Sequence, residues 1–275
     1  TGGTPAYSES GAVGDSEGVL RVYETSTHKE IITLGAHQEG IKTVRFINGT
    51  HKIVSGGRDC KVRLWDFEKS KKPEVLFKMP KPVASIAVSN DGRLVAVGSE
   101  YEKTFHVFEL DKPASDKILT PFEGFQAPNG FSFSEDGTKL AARGARVWDV
   151  QTGKQVFHGV SRLEDHVGVH FLNDRKSLLE VRSSFFRIWD TTQQNVCTQD
   201  MHQRGANVSC YVSQKNWLLL AGYRQMSIIS LDTNEQIWRY DLCSGVTDIA
   251  TDPQNGVFYT ASDDGVVRKW QFPAR

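Results

Sequence analysis

The chain contains no apolar run of about 18 residues, the length a helix needs to span a bilayer. Its opening, TGGTPAYSESG, has neither a basic stretch nor an apolar core, so it does not read as a secretory signal. The four cysteines, Cys60, Cys197, Cys210 and Cys243, form no CxxC pair and no other compact zinc spacing. They read as free thiols of a reducing, intracellular compartment, cytoplasmic or nuclear. No GxSxG, HExxH or paired-carboxylate element is present, which leaves no catalytic motif to build on. With 8 His and no dense ligand cluster, neither a metal nor a cofactor is expected. Lys plus Arg equals Asp plus Glu at 33 each, which disfavours a general nucleic-acid binder while leaving room for a local basic patch. No helical periodicity extends over ten residues. The chain starts without Met inside what reads as a repeat, so the expectation is a domain of a longer protein.

What is present is a beat. A bulky apolar residue closes a short alternating run about every forty residues, at Tyr23, Trp65, Phe108, Trp148, Trp189, Leu231 and Trp270. Units of this size cannot bury a core alone and must stack on their neighbours. Within the clearest unit, IKTVRFI, HKIVSGG, KVRLWDF and PEVLF read as four short strands punctuated by Gly49, Gly57 and Arg58-Asp59-Cys60. Other units carry NDG, EDG and QNG between their first two strands, where the backbone of a tight turn needs positive φ.

Trp65-Asp66, Trp148-Asp149 and Trp189-Asp190, set on that period, give the chain a resemblance to the WD-repeat β-propeller family over essentially its whole length. The resemblance implies an all-β fold: a seven-bladed β-propeller of four-stranded antiparallel blades. The expected organisation is a single domain over 1–275, with blades near 1–34, 35–77, 78–120, 121–158, 159–198, 199–241 and 242–275. Blade one has little room for its innermost strand and blade seven for its outermost, so the terminal blades are expected to be incomplete. Such an edge invites pairing with another chain.

In that family a loop His, a second-strand Ser or Thr, a turn Asp and the third-strand Trp form a buried relay. Blade two matches throughout, with His37, Ser55, Asp59 and Trp65. A buried indole N–H needs an acceptor, and the Asp can hold the imidazole tautomer. A hydrolytic triad is the weaker reading, because Ser55 sits within a strand and its hydroxyl is consumed by the indole. The other blades depart from the pattern. Blade seven keeps Thr260, Asp264 and Trp270 but has Leu242 in place of His. Blade six has His202 with Ala221, Gln225 and Leu231, and blade three has Gly98, Glu102 and Phe108. Stacking must therefore carry more of the stability than in a consensus repeat.

The residue before the relay Asp points to the top rim. Aligned on the third strand, that position holds Ser16, Arg58, Tyr101, Arg143, Arg182, Arg224 and Asp263, with Lys42 near the channel mouth. Arg suits carboxylate or phosphate and is enriched at interface hot spots. The functional expectation is a face that grips an acidic or phosphorylated protein segment. The bland one is that these arginines pair with Glu102, Glu180 or Asp264. His37 and His166 read as structural. Phe122 and Phe125 read as plugs between blades, and of Phe185-Phe186 one turns inward. The resemblance implies a non-catalytic protein-interaction scaffold within a multiprotein complex. The alternatives are a regulatory propeller of a larger enzyme and a nucleic-acid-contacting subunit of a ribonucleoprotein.

Overall fold

The computed structural model describes residues 10–14, 17–24, 27, 29–35, 37–100, 102, 104–119, 130–159, 166–193, 197–202 and 205–274. The expected Tyr101, Ser16, Phe122 and Phe125 fall outside these residues. The fold is all-β, seven antiparallel sheets formed in chain order, the strand plan of a seven-bladed propeller. Blade one holds β1 (Ser10–Gly14), β2 (Val19–Glu24) and β3 (Glu30–Gly35). Blade two holds β4 (Ile41–Phe46), β5 (Lys52–Gly57), β6 (Lys61–Asp66) and β7 (Glu74–Lys78). Blade three holds β8 (Val83–Val88), β9 (Leu94–Ser99), β10 (Phe105–Glu109) and β11 (Lys112–Leu119). Blade four holds β12 (Phe131–Phe133), β13 (Lys139–Ala142), β14 (Arg146–Asp149) and β15 (Gln155–His158). Blade five holds β16 (His166–Phe171), β17 (Ser177–Arg182), β18 (Phe185–Asp190) and β19 (Cys197–His202). Blade six holds β20 (Val208–Val212), β21 (Trp217–Ala221), β22 (Gln225–Ser230) and β23 (Gln236–Asp241). Blade seven holds β24 (Val246–Asp252), β25 (Val257–Ser262) and β26 (Val267–Gln271). Among the described residues the first and last blades thus have three strands. His202 ends β19, past the expected limit of blade five at 198, and belongs to a strand rather than to a loop leading into blade six.

The chain divides into two compact units. One is Thr1–Leu140 with Trp148–Gln155, the other Ala141–Val147 with Val156–Arg275. In the first, Leu20, Val22, Ile53 and Trp65 pack as one cluster, and Val54, Val62, Val83, Val95 and Phe108 as another. In the second, Ala141, Phe157, Val169, Leu178 and Trp189 form a cluster, followed by Leu179, Phe186, Leu218 and Ile229, then by Trp217, Leu219, Ile228 and Phe258. Each cluster takes residues from consecutive blades, so the hydrophobic gain, about 1.5–3 kcal/mol for each large side chain fully buried, is realised only between neighbours.

Register corrects two alignments. Trp65 faces Ile53, Phe108 faces Val95, Trp189 faces Leu178 and Trp270 faces Phe258. In blade six the residue facing Leu218 is Ile229, so Ile229 takes the tryptophan's place and Leu231 lies two residues beyond it. The Leu231-Asp232 pair imitates Trp-Asp in sequence but sits past the strand. In blade two Ser55 faces Arg63, while in blade five Glu180 faces Arg187, a hairpin one residue shorter. Arg182 is thereby drawn into β17 opposite His166, where Gly57 stands opposite Ile41 in blade two. It is a buried strand residue, not the counterpart of Arg58.

Candidate functional site

The blade-two relay is assembled from β5, β6, their turn and the loop leading into β4. Trp65 Nε1 donates to Ser55 Oγ at 2.8 Å, and Ser55 Oγ lies 2.8 Å from His37 Nε2. His37 Nδ1 lies 2.8 Å from Asp59 Oδ1, and Arg63 Nη1 donates to Asp59 Oδ2 at 2.7 Å. Arg63 Nη1 also lies 2.8 Å from His37 Nδ1. With Nδ1 protonated, the indole gives to Ser55, Ser55 gives to Nε2 and Nδ1–H gives to Asp59; with Nε2 protonated, Nδ1 accepts from Arg63 instead. Burial alone would raise the Asp59 pKa, but the bonds from His37 and Arg63 outweigh it and hold the carboxyl at about 2. Burial lowers the His37 pKa, against the pull of Asp59, which favours the neutral ring this chain requires. Gly57 is needed here, since a Cβ on it would fall 2.1 Å from His37 Nδ1.

Arg63 was not anticipated, yet a signal for it was in plain sight. Arg21, Arg63, Arg146, Arg187 and Arg268 each stand two residues before the aromatic of a third strand. What differs is what meets them. In blade seven Arg268 donates to Asp264 at 2.5 Å and to Ser262 at 3.3 Å, while Trp270 Nε1 donates to Thr260 at 2.9 Å. The Arg268 bond holds the Asp264 carboxyl far below the usual range. In blade five the carboxylate has moved from the turn into the strand. Glu180 is fully buried and accepts from Trp189 Nε1 and from Arg182 Nε, both at 3.0 Å. Arg187 instead lies over the Phe185 ring, 4.5 Å from its centroid. Phe186 turns inward.

Blade four is cut short. Its β13 and β14 have four residues each where β5 and β6 have six, and Gly144 and Ala145 turn the chain with φ of 81° and 50°. Arg143 in this turn is half-buried, and burial together with nearby Arg182 pulls its guanidinium below its usual pKa. The buried Trp148 Nε1 has no hydrogen-bond partner.

The remaining expected rim residues separate. Arg58 is exposed, and Lys42, also exposed, pairs with Glu100 at 3.2 Å; both belong to the first unit. In the second unit Arg224 and Asp263 are exposed. Tyr223, beside Arg224, is the most exposed large hydrophobic side chain among the described residues, at 68%. A Cβ on Gly245 would fall 2.4 Å from Asp263 Oδ2 and 2.8 Å from the Tyr223 ring, so only glycine lets these two turns meet. Tyr223 escaped the sequence reading because its turn lacks the Asp that marks the position elsewhere. Among the described residues no group of three or more His, Cys, Asp or Glu is placed to hold a metal ion, and no helix is long and apolar enough to cross a membrane.

Residues 28–66 and 235–271 match the family described as WD domain, G-beta repeat. The chain is 25% identical over 189 residues to Periodic tryptophan protein 2 of Arabidopsis thaliana, covering 66% of this chain and 21% of that protein. It is 30% identical over 154 residues to Intraflagellar transport protein 80 homolog of Mus musculus, covering 50% and 18%. It is 26% identical over 191 residues to Eukaryotic translation initiation factor 3 subunit I of Scheffersomyces stipitis, covering 60% and 52%. Against the first of these the chain spans about a fifth of the relative's length.

Proposed function

We propose that this chain, which belongs to the WD-repeat family, is a non-catalytic scaffold that binds a protein partner through the hairpin turns of its second unit. The partner segment is acidic or phosphorylated, and it meets Tyr223 and Arg224, with Arg143 and Asp263 contributing. Arg58 and Lys42 offer a separate basic patch on the first unit. The free thiols of Cys60, Cys210 and Cys243 support an intracellular site of action, cytoplasmic or nuclear.

One observation carries the reading. The turns of blades two and seven spend their carboxylates, Asp59 and Asp264, on their own arginines, whereas the blade-six turn presents an exposed tyrosine beside an exposed arginine. Tyr and Arg are the side chains most enriched where interface energy concentrates. The test is affinity capture with the intact chain against Tyr223→Ala and Arg224→Glu. Loss of a partner with an unchanged urea midpoint supports the proposal. A partner set identical to wild type overturns it.

A further inference from the structure

We propose that the chain carries a self-modification site at Asn48-Gly49. There the Asn48 amide converts to aspartate or isoaspartate through a cyclic imide, while the same dipeptide at Asn255-Gly256 is protected by its turn. The inference concerns the turns between first and second strands. It does not depend on the partner site at Tyr223 and Arg224, so either can fail alone. Asn48-Gly49 joins β4 to β5 in blade two, and Asn255-Gly256 joins β24 to β25 in blade seven. The two glycines share one backbone conformation, with φ of 71° at each. What differs is where the dipeptide falls within its turn.

In blade seven the turn closes on the glycine. Gly256 N–H donates to Pro253 O at 3.3 Å. The asparagine is held as well. Its Nδ2 donates to Asp252 Oδ2 at 2.8 Å, and its backbone N–H donates to Asp252 Oδ1 at 3.2 Å. In blade two the dipeptide sits one residue earlier, and Thr50 N–H closes the turn by donating to Ile47 O at 3.1 Å. Gly49 N–H is left with no hydrogen-bond partner among the described residues. Asn48 and Gly49 are both exposed, and a Cβ on Gly49 would meet nothing within 4 Å. The Asn48 side chain makes one hydrogen bond, from Nδ2 to Asn90 O at 3.5 Å, the outer limit of such a bond.

The chemistry uses only these atoms and water. The Gly49 nitrogen loses its proton and attacks Cγ of Asn48. A C–N bond closes a five-membered imide, the Cγ–Nδ2 bond breaks, and the amide nitrogen leaves as ammonia. Water then opens the ring. Opening at the side-chain carbonyl gives aspartate, and opening at the backbone carbonyl gives isoaspartate. Glycine suits the step because it has no side chain to obstruct the ring. An N–H already committed to an acceptor must first give up that bond, and so must an amide held by a carboxylate. Blade seven imposes both requirements, and blade two leaves the attacking nitrogen open. Each product adds one negative charge beside the Asn90 carbonyl. Isoaspartate also lengthens the main chain by one carbon inside the turn that Thr50 closes, whereas aspartate leaves the main chain intact.

The test is peptide mapping of the intact chain after incubation in mildly alkaline buffer. Heavy-oxygen water labels only the imide opened during the incubation. In the folded chain Asn48 is expected to convert at least about tenfold faster than Asn255, because the bonds at Asn255 add to its barrier. In urea the two rates should converge, since each asparagine then precedes a glycine in a solvated chain. Equal rates in the folded chain, or a difference that persists in urea, would overturn the proposal. Asn129-Gly130, whose asparagine lies outside the described residues, maps to a separate peptide. The isoaspartate fraction, once separated, should unfold at lower urea than Asn48→Asp, because only the former lengthens the turn.

Discussion

Blades two and five carry nearly the same third strand, Arg-Leu-Trp-Asp at Arg63–Asp66 and Arg-Ile-Trp-Asp at Arg187–Asp190, yet they solve the burial of the indole in opposite ways. Blade two places a neutral acceptor, Ser55, under the tryptophan and keeps its carboxylate in the turn, where Asp59 ties loop, turn and strand together. Blade five places the carboxylate itself, Glu180, under the tryptophan and spends its second oxygen on Arg182. The first arrangement locks a hairpin tip. The second leaves the tip without an acid, while Arg187 rests on an aromatic face. The position of one carboxylate, turn or strand, thus separates a blade whose turn is tied to its own strands from one whose carboxylate is held within the sheet.

Removing that carboxylate is the most severe way to break the comparison. Asp59→Ala takes the carboxylate from the buried Arg63 and His37, and Glu180→Ala takes it from Arg182 and strands the indole of Trp189. Each is expected to cost about 3–5 kcal/mol in urea unfolding, the usual consequence of leaving half of a buried pair. A cost below about 1 kcal/mol for Asp59→Ala would mean that the relay ornaments blade two rather than holding it. A double-mutant cycle with Arg63→Met should give a coupling of about 1–3 kcal/mol.

Acid separates the two regions at the next level. The Asp59 pKa falls from 3.8 to about 2 on folding, so its stabilisation is complete above pH 3.8 and is lost as pH drops through about 2. In the second unit His166 and His170 fall from 6.5 to about 3 and about 4, chiefly by burial. The unfolded chain takes up their protons first. Stability should decline below pH 6.5, by about 1.4 kcal/mol per pH unit for each histidine, until the folded values are reached. Urea unfolding of His170→Gln between about pH 6 and about pH 4 should show a slope shallower by that amount. Asp59→Asn should leave the slope in this window unchanged.

The strand plan was legible because period, turn residues and alternation all reflect the same local requirement, a short hairpin with one covered face. Blade-scale register was less so. Leu231-Asp232 mimics Trp-Asp, and only the pairing of Leu218 with Ile229 exposes the offset. Arg182 was misaligned with Arg58 for a related reason. Counting from the tryptophan assumes a constant hairpin length, and the fifth hairpin is one residue short. The relay residues were placed by resemblance, whereas the arginine two residues before the aromatic needed only the sequence and went unread. Tyr223 was beyond reach, because its meaning depends on which neighbouring residue is missing.

The smallest expected effect tests the same contrast at the indole itself. Trp65 donates to Ser55, while Trp148 is equally buried with its N–H unmatched. Trp65→Phe deletes a satisfied donor and should cost about 1–2 kcal/mol beyond lost packing. Trp148→Phe deletes an unsatisfied one, which returns about 1–3 kcal/mol against the volume it removes. An aromatic ring at that position also keeps an edge contact with Phe105, whose centroid lies 4.8 Å from the indole at 87°. The two terms nearly cancel, so Trp148→Phe should unfold within about 1 kcal/mol of wild type. A loss as large as that of Trp65→Phe would show that the Trp148 indole bears on its blade through packing alone, and that the missing acceptor is no liability.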